Sequence, residues 1–260
     1  NGELAMDLSG RNNYFGLGTD LIDTIDIDTG KRRRSELQDV RNAAVVADAC
    51  ENVDFIASFA LPSDVDTNTM YIECFKAEVE NSTKPIFFTS AGSEDLKIII
   101  KMASEIAGNE KKLSERPFII HYSEPTAPLM HSFGAVNKVI MCAEKNIPIC
   151  YVPGVLMGAS GPVTLAGGVI QANAECLSGI VLHQLANEGA PIISGWAVVP
   201  LDMRDATYCY GSPELRITNT VFADLYHHYE IPMWSIVGTD SHCLDQQASM
   251  EHTFSTLMAA

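Results

Sequence analysis

Asn146-Ile147-Pro148-Ile149-Cys150-Tyr151-Val152-Pro153-Gly154 is the stretch from which the fold can be read. Proline cannot continue a helix and biases the residue before it toward extended backbone, so Asn146-Ile147-Pro148 closes one element and launches another. The run Ile147-Val152 is apolar, short and rich in residues that favour strands, and Pro153-Gly154 stops it. A glycine-rich loop follows to Gly161, and from Pro162 to Asn187 apolar residues fall at helical spacing.

The same order recurs along the chain. Strand-like runs occur at Val53-Phe59, Pro85-Ser90, Pro117-Tyr122, Pro191-Trp196 and Pro232-Val237. Helix-like segments follow at Thr69-Glu80, Glu94-Ala107, Ser132-Lys145, Pro213-Tyr229 and Gln246 onward, and another helix, Ser35-Cys50, leads them. Ser93-Glu94-Asp95 and Ser212-Pro213-Glu214 read as helix starts, and Pro162 and Pro213 suit a first turn. Strands joined by crossover helices pair in parallel, so the choice lies between an open doubly wound sheet and a closed barrel. Six β-α units are visible where a barrel needs eight, and the chain stops at Leu257-Met258-Ala259-Ala260 inside an apolar helical stretch. The expectation is a fragment of a longer protein: residues 35-260 as a barrel incomplete at its C-terminus, and residues 1-34 as a small hairpin-like element beside it, with Gly10, Asn12-Asn13, Gly16 and Gly18 marking turns.

A net charge of −16 argues against nucleic acid, because neutralising phosphates takes clustered Lys and Arg. The one basic run, Lys31-Arg32-Arg33-Arg34, reads as a solvated turn. Seven cysteines, widely spaced and never in C-x-x-C, suggest reduced thiols in the cytoplasm rather than a disulfide framework or a zinc ribbon. Gln171, Asn173 and Glu175 interrupt the most apolar segment, Val163-Leu182, so no membrane span is expected, and no secretory signal is visible at the N-terminus.

In parallel β/α folds the chemistry gathers where strands end and loops enter helices. Those loops hold His121, Tyr122 and Glu124; Gly154 through Gly161; Trp196 through Gly211, with Tyr208 and Tyr210; and Gly238-Thr239-Asp240-Ser241-His242. Carboxylates and aromatic rings with few basic groups suit a cation that lacks N–H donors. His121 and Glu124 could act as an acid/base pair or as metal ligands, although a histidine at a strand end is more often hydrogen-bonded structure. The Gly154-Gly161 loop could offer N–H groups to an anion, or could be a turn with Ser160 as cap; without a lysine it is no nucleotide phosphate loop. Asp240-Ser241-His242 is not a hydrolytic triad, since no nucleophile elbow accompanies it. His227-His228 decorate a helix C-terminus, and the cysteines lie mostly within elements.

Gly158-Ala159-Ser160-Gly161-Pro162-Val163-Thr164-Leu165-Ala166-Gly167, with Asn173-Ala174-Glu175, resembles the trimethylamine methyltransferase family. Gly211-Ser212-Pro213-Glu214-Leu215, Gly238-Thr239-Asp240-Ser241, Asp245-Gln246-Gln247-Ala248, Leu61-Pro62-Ser63-Asp64-Val65 and Glu124-Pro125-Thr126 with Pro128-Leu129 extend the likeness over nearly the whole chain. The resemblance implies a TIM (β/α)8 barrel whose open face docks a separate corrinoid protein, with a methyl group passing from a substrate nitrogen to cobalt(I). The trimethylamine enzymes carry pyrrolysine just before the motif matched by Thr239-Asp240-Ser241, and this chain has Gly238 there. Relatives without that residue use quaternary amines, so the resemblance points to glycine betaine, with trimethylamine, carnitine or proline betaine as alternatives. For such a transfer, which works by positioning and electrostatics, Glu124, Asp240 and His121 are the expected catalytic groups. Tyr122, Trp196, Tyr208, Tyr210, His242 and Gly238 would bind the substrate, and Gly158, Ser160, Gly161, Thr239 and Ser241 would face the corrinoid. No resident metal or nucleotide is expected, and a homo-oligomer is compatible with these features. A metal-dependent barrel lyase using His121, Glu124 and Asp240, or a non-catalytic betaine-binding module, are the readings from other classes.

Overall fold

The structure, a computed structural model, describes residues 4–196 and 198–260. The chain forms two compact units: one runs to Tyr122 and includes Glu144–Pro148, and the other holds Ser123–Ala143 and Ile149–Ala260.

The first unit begins with an antiparallel hairpin of β1 (Asp23–Ile25) and β2 (Arg32–Arg34), with Thr24 opposite Arg33. The basic run is therefore a strand, not a turn. Its charges are matched by nearby acids: Arg33 contacts Asp39 at 2.7 Å and Asp26 at 3.2 Å. Helix α1 (Leu37–Ala49) starts with a capping box between Glu36 and Asp39. Then come β3 (Ile56–Ala57), α2 (Met70–Asn81), β4 (Ile86–Phe88), α3 (Ser93–Ala107), α4 (Glu110–Glu115) and β5 (Ile119–Ser123). Parallel pairing sets Ile86 of β4 opposite both Ile56 and Ile119. The core is apolar and fully enclosed: Ile56, Phe75, Ile86, Phe87, Phe88, Leu96 and Ile99 expose 2% or less. Each such side chain contributes roughly 1.5–3 kcal/mol on burial.

Two helix boundaries differ from the sequence reading. Gly92 rather than Ser93 caps α3, and the chain leaves α3 through Gly108 at φ +96, after which Asn109 accepts a hydrogen bond from Lys112 N and starts the unforeseen α4. The Gly-Asn pair was the available signal: a stop residue followed directly by a capping residue.

The second unit holds α5 (Phe133–Glu144), β6 (Ile149–Tyr151), β7 (Leu156–Met157), α6 (Leu165–Ala186), β8 (Ile192–Gly195), β9 (Val199–Asp202), β10 (Thr207–Tyr208), α7 (Pro213–Tyr229), β11 (Met233–Trp234) and α8 (Gln246–Ala259). Strand β8 pairs in parallel with β6, Ile192 opposite Ile149, and with β11, Ser194 opposite Met233. All six strand-like runs of the sequence thus become parallel strands of an α/β fold. The stretches read as plain loops after β6 and β8 hold a further sheet, in which β9 lies between β7 (parallel) and β10 (antiparallel).

Helix α6 has 22 residues, and its most apolar 18-residue window reaches a mean hydropathy of 1.3, so by length and composition it could cross a membrane despite Gln171, Asn173 and Glu175. Its inner face accounts for part of that composition: Val169, Ala172 and Cys176 are buried in a cluster with Val155, Met157, Val198, Phe222 and Tyr226. A side chain at Gly179 would collide with the ring of Tyr151, so helix and strand approach as closely as backbone allows. Thr164 caps α6 by accepting from Gly167 N at 3.2 Å. Pro162 and Ser160 therefore precede the helix, contrary to the reading of Pro162 in its first turn and Ser160 as cap.

Candidate active site

The second unit gathers Glu124, Tyr208, Tyr210, Gly238 and Asp240 at the loops that follow β5, β10 and β11. Tyr208 and Tyr210 meet edge to face with ring centroids 6.4 Å apart, the geometry that ring quadrupoles prefer. Tyr210 is half-buried and packs with Ile236 against Val199 and Leu215. Burial first, and then the negative charge of Glu124, raises the Tyr210 phenol above its usual range, so its hydroxyl stays protonated at neutral pH. Glu124 is exposed, and a methyl group at Gly154 would lie 3.6 Å from its Oε2. A side chain added at Gly238 would run 3.6–3.8 Å from Tyr210. That spacing is ordinary van der Waals contact, so glycine leaves one wall beside the ring open.

A partly buried polar network holds this corner. Asp240 accepts Tyr210 N at 2.6 Å on one carboxylate oxygen and Gly211 N at 2.8 Å on the other. Arg216, 1% exposed, donates to the carbonyls of Tyr210 at 2.6 Å and Ile236 at 2.8 Å. Burial lowers the Arg216 pKa from its usual value, and nearby Asp240 opposes the shift. Glu251 on α8 accepts from the Thr239 hydroxyl at 2.6 Å and from Asp240 N at 2.7 Å, and a side chain at Gly211 would strike its carboxyl group. Those bonds, the one from Thr239 foremost, hold the Glu251 carboxyl below its usual range. Ser241 donates to Asp245, which also caps α8 by accepting Ala248 N at 2.9 Å. Asp240, Thr239 and Ser241 therefore position the corner, and His242 beside them is exposed.

Other residues singled out in the sequence lie elsewhere or are already engaged. His121 sits inside β5, not past it, opposite Phe88; it is fully buried, with Nε2 2.9 Å from the Ser90 hydroxyl and its ring 5.0 Å from Phe88. Tyr122 follows it in the first unit, its ring 5.6 Å from Phe87. Trp196 is 7% exposed and has φ +129, a region that L-residues rarely adopt. Gly158 N donates to Gly161 O and Gly161 N donates to Leu156 O, while Ser160 Oγ accepts from Leu156 N at 3.0 Å. The loop spends these donors on its own turn rather than leaving them for an anion. Among the described residues, no three of His, Cys, Asp and Glu converge closely enough to hold a metal ion.

Residues 1–260 match the family model described as trimethylamine methyltransferase (MTTB). The chain belongs to the trimethylamine methyltransferase family. Over 247 residues it is 33% identical to a trimethylamine methyltransferase MttB of Desulfitobacterium hafniense, covering 95% of this chain and 49% of that one. Over 264 residues it is 30% identical to a glycine betaine methyltransferase of another strain of that species, covering 100% and 54%. A proline betaine:corrinoid methyltransferase of Eubacterium limosum is 29% identical over 220 residues, covering 81% and 45%. This member of the family thus spans about half the length of the curated relatives it matches.

Sequence reasoning missed Arg216 and Glu251. A lone arginine and a lone glutamate on amphipathic helices look like solvated groups, and only the placement of α7 and α8 turns them inward. Gly211-Ser212-Pro213 was the partial signal, because a glycine just before a helix cap marks a close approach by something.

Proposed function

We propose that the intact protein moves a methyl group from a quaternary amine, glycine betaine, to the cobalt(I) corrinoid of a separate protein, and that the full-length chain closes its parallel strands into a (β/α)8 barrel. The observation that carries this reading is the corner of Glu124, Tyr208, Tyr210 and Gly238, where a carboxylate and two rings stand beside a wall opened by glycine. Where the trimethylamine enzymes of the resembled family place pyrrolysine, glycine leaves room for a larger head group. A quaternary ammonium already carries the charge that makes it a methyl donor, so it needs no covalent holder. The relatives named for glycine betaine and proline betaine support the same substrate class.

Glu124 would attract the ammonium head, and the faces of Tyr208 and Tyr210 would contact its methyl groups through their quadrupoles. Asp240 and Arg216 hold the backbone at Tyr210, and Glu251 holds Thr239 and Asp240 just after Gly238, so the orientation of Tyr210 would be set before the substrate arrives. Because Gly158 and Gly161 spend their N–H groups internally, the exposed imidazole of His242 is left as the partner for the betaine carboxylate. A cobalt(I) corrinoid presented by a partner would supply the electron pair for the new methyl bond, while the electrons of the broken N–C bond would stay on nitrogen in a neutral tertiary amine. The seven cysteines are free, in keeping with a reducing cytoplasm.

The second reading is trimethylamine as substrate, favoured by the relative at 33% identity that bears that name. Equilibrium binding to the full-length protein separates the two. Glycine betaine should bind, carnitine and proline betaine should compete with it, and trimethylamine should not. Binding of trimethylamine with no binding of any quaternary amine would reverse the assignment.

A further inference from the structure

The second unit carries a face that the proposed methyl transfer does not use. On α6, Ile170 is 70% exposed, Val181 55% and Leu185 79%, and Ala174 between them is exposed as well. At 3.6 residues per turn these four positions fall within about 60° of arc, so they form one stripe along the helix. A loop adjoins it: Leu129 N donates to Glu175 at 2.9 Å, and His131 Nε2 lies 2.7 Å from the Ser178 hydroxyl. That anchored loop leaves Leu129 65% and Met130 56% exposed. Contiguous apolar surface of this kind on a folded unit marks an interaction site.

Charge and symmetry say what fits the stripe. The chain carries −16 overall, yet the sole Asp, Glu, Lys or Arg in α6 is Glu175, which is 1% exposed and faces inward. Two copies of so acidic a chain repel over most of their surfaces, and here they can meet without bringing like charges together. The stripe is also its own complement. Its spacings, four, seven and four residues, read the same in both directions about a point between Leu177 and Ser178. Turned antiparallel about a two-fold axis, Ile170 of one copy faces Leu185 of the other, and Ala174 faces Val181, a small residue against a larger one. A two-fold interface requires one patch to be complementary to itself in this way.

We propose that α6, flanked by Leu129 and Met130, is the contact between two copies of this chain, packed antiparallel across a two-fold axis. The test uses the full-length protein. Light scattering should give twice the chain mass for the unmodified protein, and I170E/V181E should halve it while leaving the far-UV circular dichroism and melting curve intact. Independently, A174C/V181C, in a background with exposed Cys50 and Cys243 changed to serine, should oxidise to a covalent dimer. Within one helix those two positions are about 10.5 Å apart, too far for a disulfide, whereas A174C alone has no partner within reach. A monomeric unmodified protein, a dimer that survives I170E/V181E, or no dimer from A174C/V181C would each overturn the proposal. A monomer whose melting temperature collapses in I170E/V181E would instead show that the rest of its own chain covers α6, and a monomer that floats with phosphatidylcholine vesicles would show a membrane there. Both results also reject the two-fold contact.

Discussion

At the scale of single residues the proposed site would divide the labour between an exposed acid and a partly buried frame. Glu124 and the two tyrosine rings offer charge and faces, whereas Asp240 and Arg216 spend their groups on the backbone around Tyr210. Replacing Tyr210 by alanine in the full-length protein should weaken betaine binding by roughly 0.5–2 kcal/mol, the size of one cation–π contact. Isothermal titration measures this, and unchanged affinity would remove Tyr210 from the site. Arg216→Met should act differently. It leaves two partly buried carbonyls without their donors, at about 1–3 kcal/mol in all, so stability in a denaturant titration should fall together with binding. The sequence made Glu124 and the tyrosines visible because strand-end loops are where such groups matter. It could not show that Asp240 faces inward to backbone N–H groups, since that depends on how the loops before α7 and after β11 meet.

At the scale of elements, the β-α punctuation was legible because proline, glycine and capping residues act locally. Asn146 and Glu230 end α5 and α7 with left-handed φ of +54 and +57, just where Asn-Ile-Pro and Glu-Ile-Pro predict a stop. The small sheet of β7, β9 and β10 was not legible, because β7 and β10 have two residues each and β9 only four, too few for a periodicity to show. The β2 run is solvated as read, with Arg32 74% and Arg34 65% exposed, but it is a strand and not a turn, because it pairs with β1 and Arg33 reaches Asp39. The contact between α6 and β6 gives a sharp test. Gly179→Ala places a methyl group against Tyr151 and should cost about 1–3 kcal/mol by overpacking, read as a lower urea midpoint with an unchanged slope. A midpoint equal to that of the unmodified protein would mean that α6 does not pack as described.

At the scale of the molecule, stability should depend on pH through Glu78. This carboxyl is fully buried on α2, neither oxygen has a hydrogen-bond partner, and burial, with Asp20 adding to it, pushes its pKa well above 4.5. A raised folded pKa means that the folded chain keeps a proton the unfolded chain gives up. Its contribution is therefore complete below about 4.5 and declines as pH rises toward the folded value. Glu78→Gln should accordingly melt higher than the unmodified protein at pH 8, with the gap closing toward pH 4.5; a constant gap would show that Glu78 titrates normally. The central proposal, methyl transfer from a quaternary amine, rests on the acid and aromatic corner, the family and the opening at Gly238. The direct measurement is the absorbance change of cobalt(I) corrinoid protein mixed with the full-length enzyme and each of a panel of methylated amines. Glycine betaine should drive methylation while trimethylamine leaves the cobalt(I) spectrum unchanged, and methylation by trimethylamine with none from any betaine or carnitine would contradict the account.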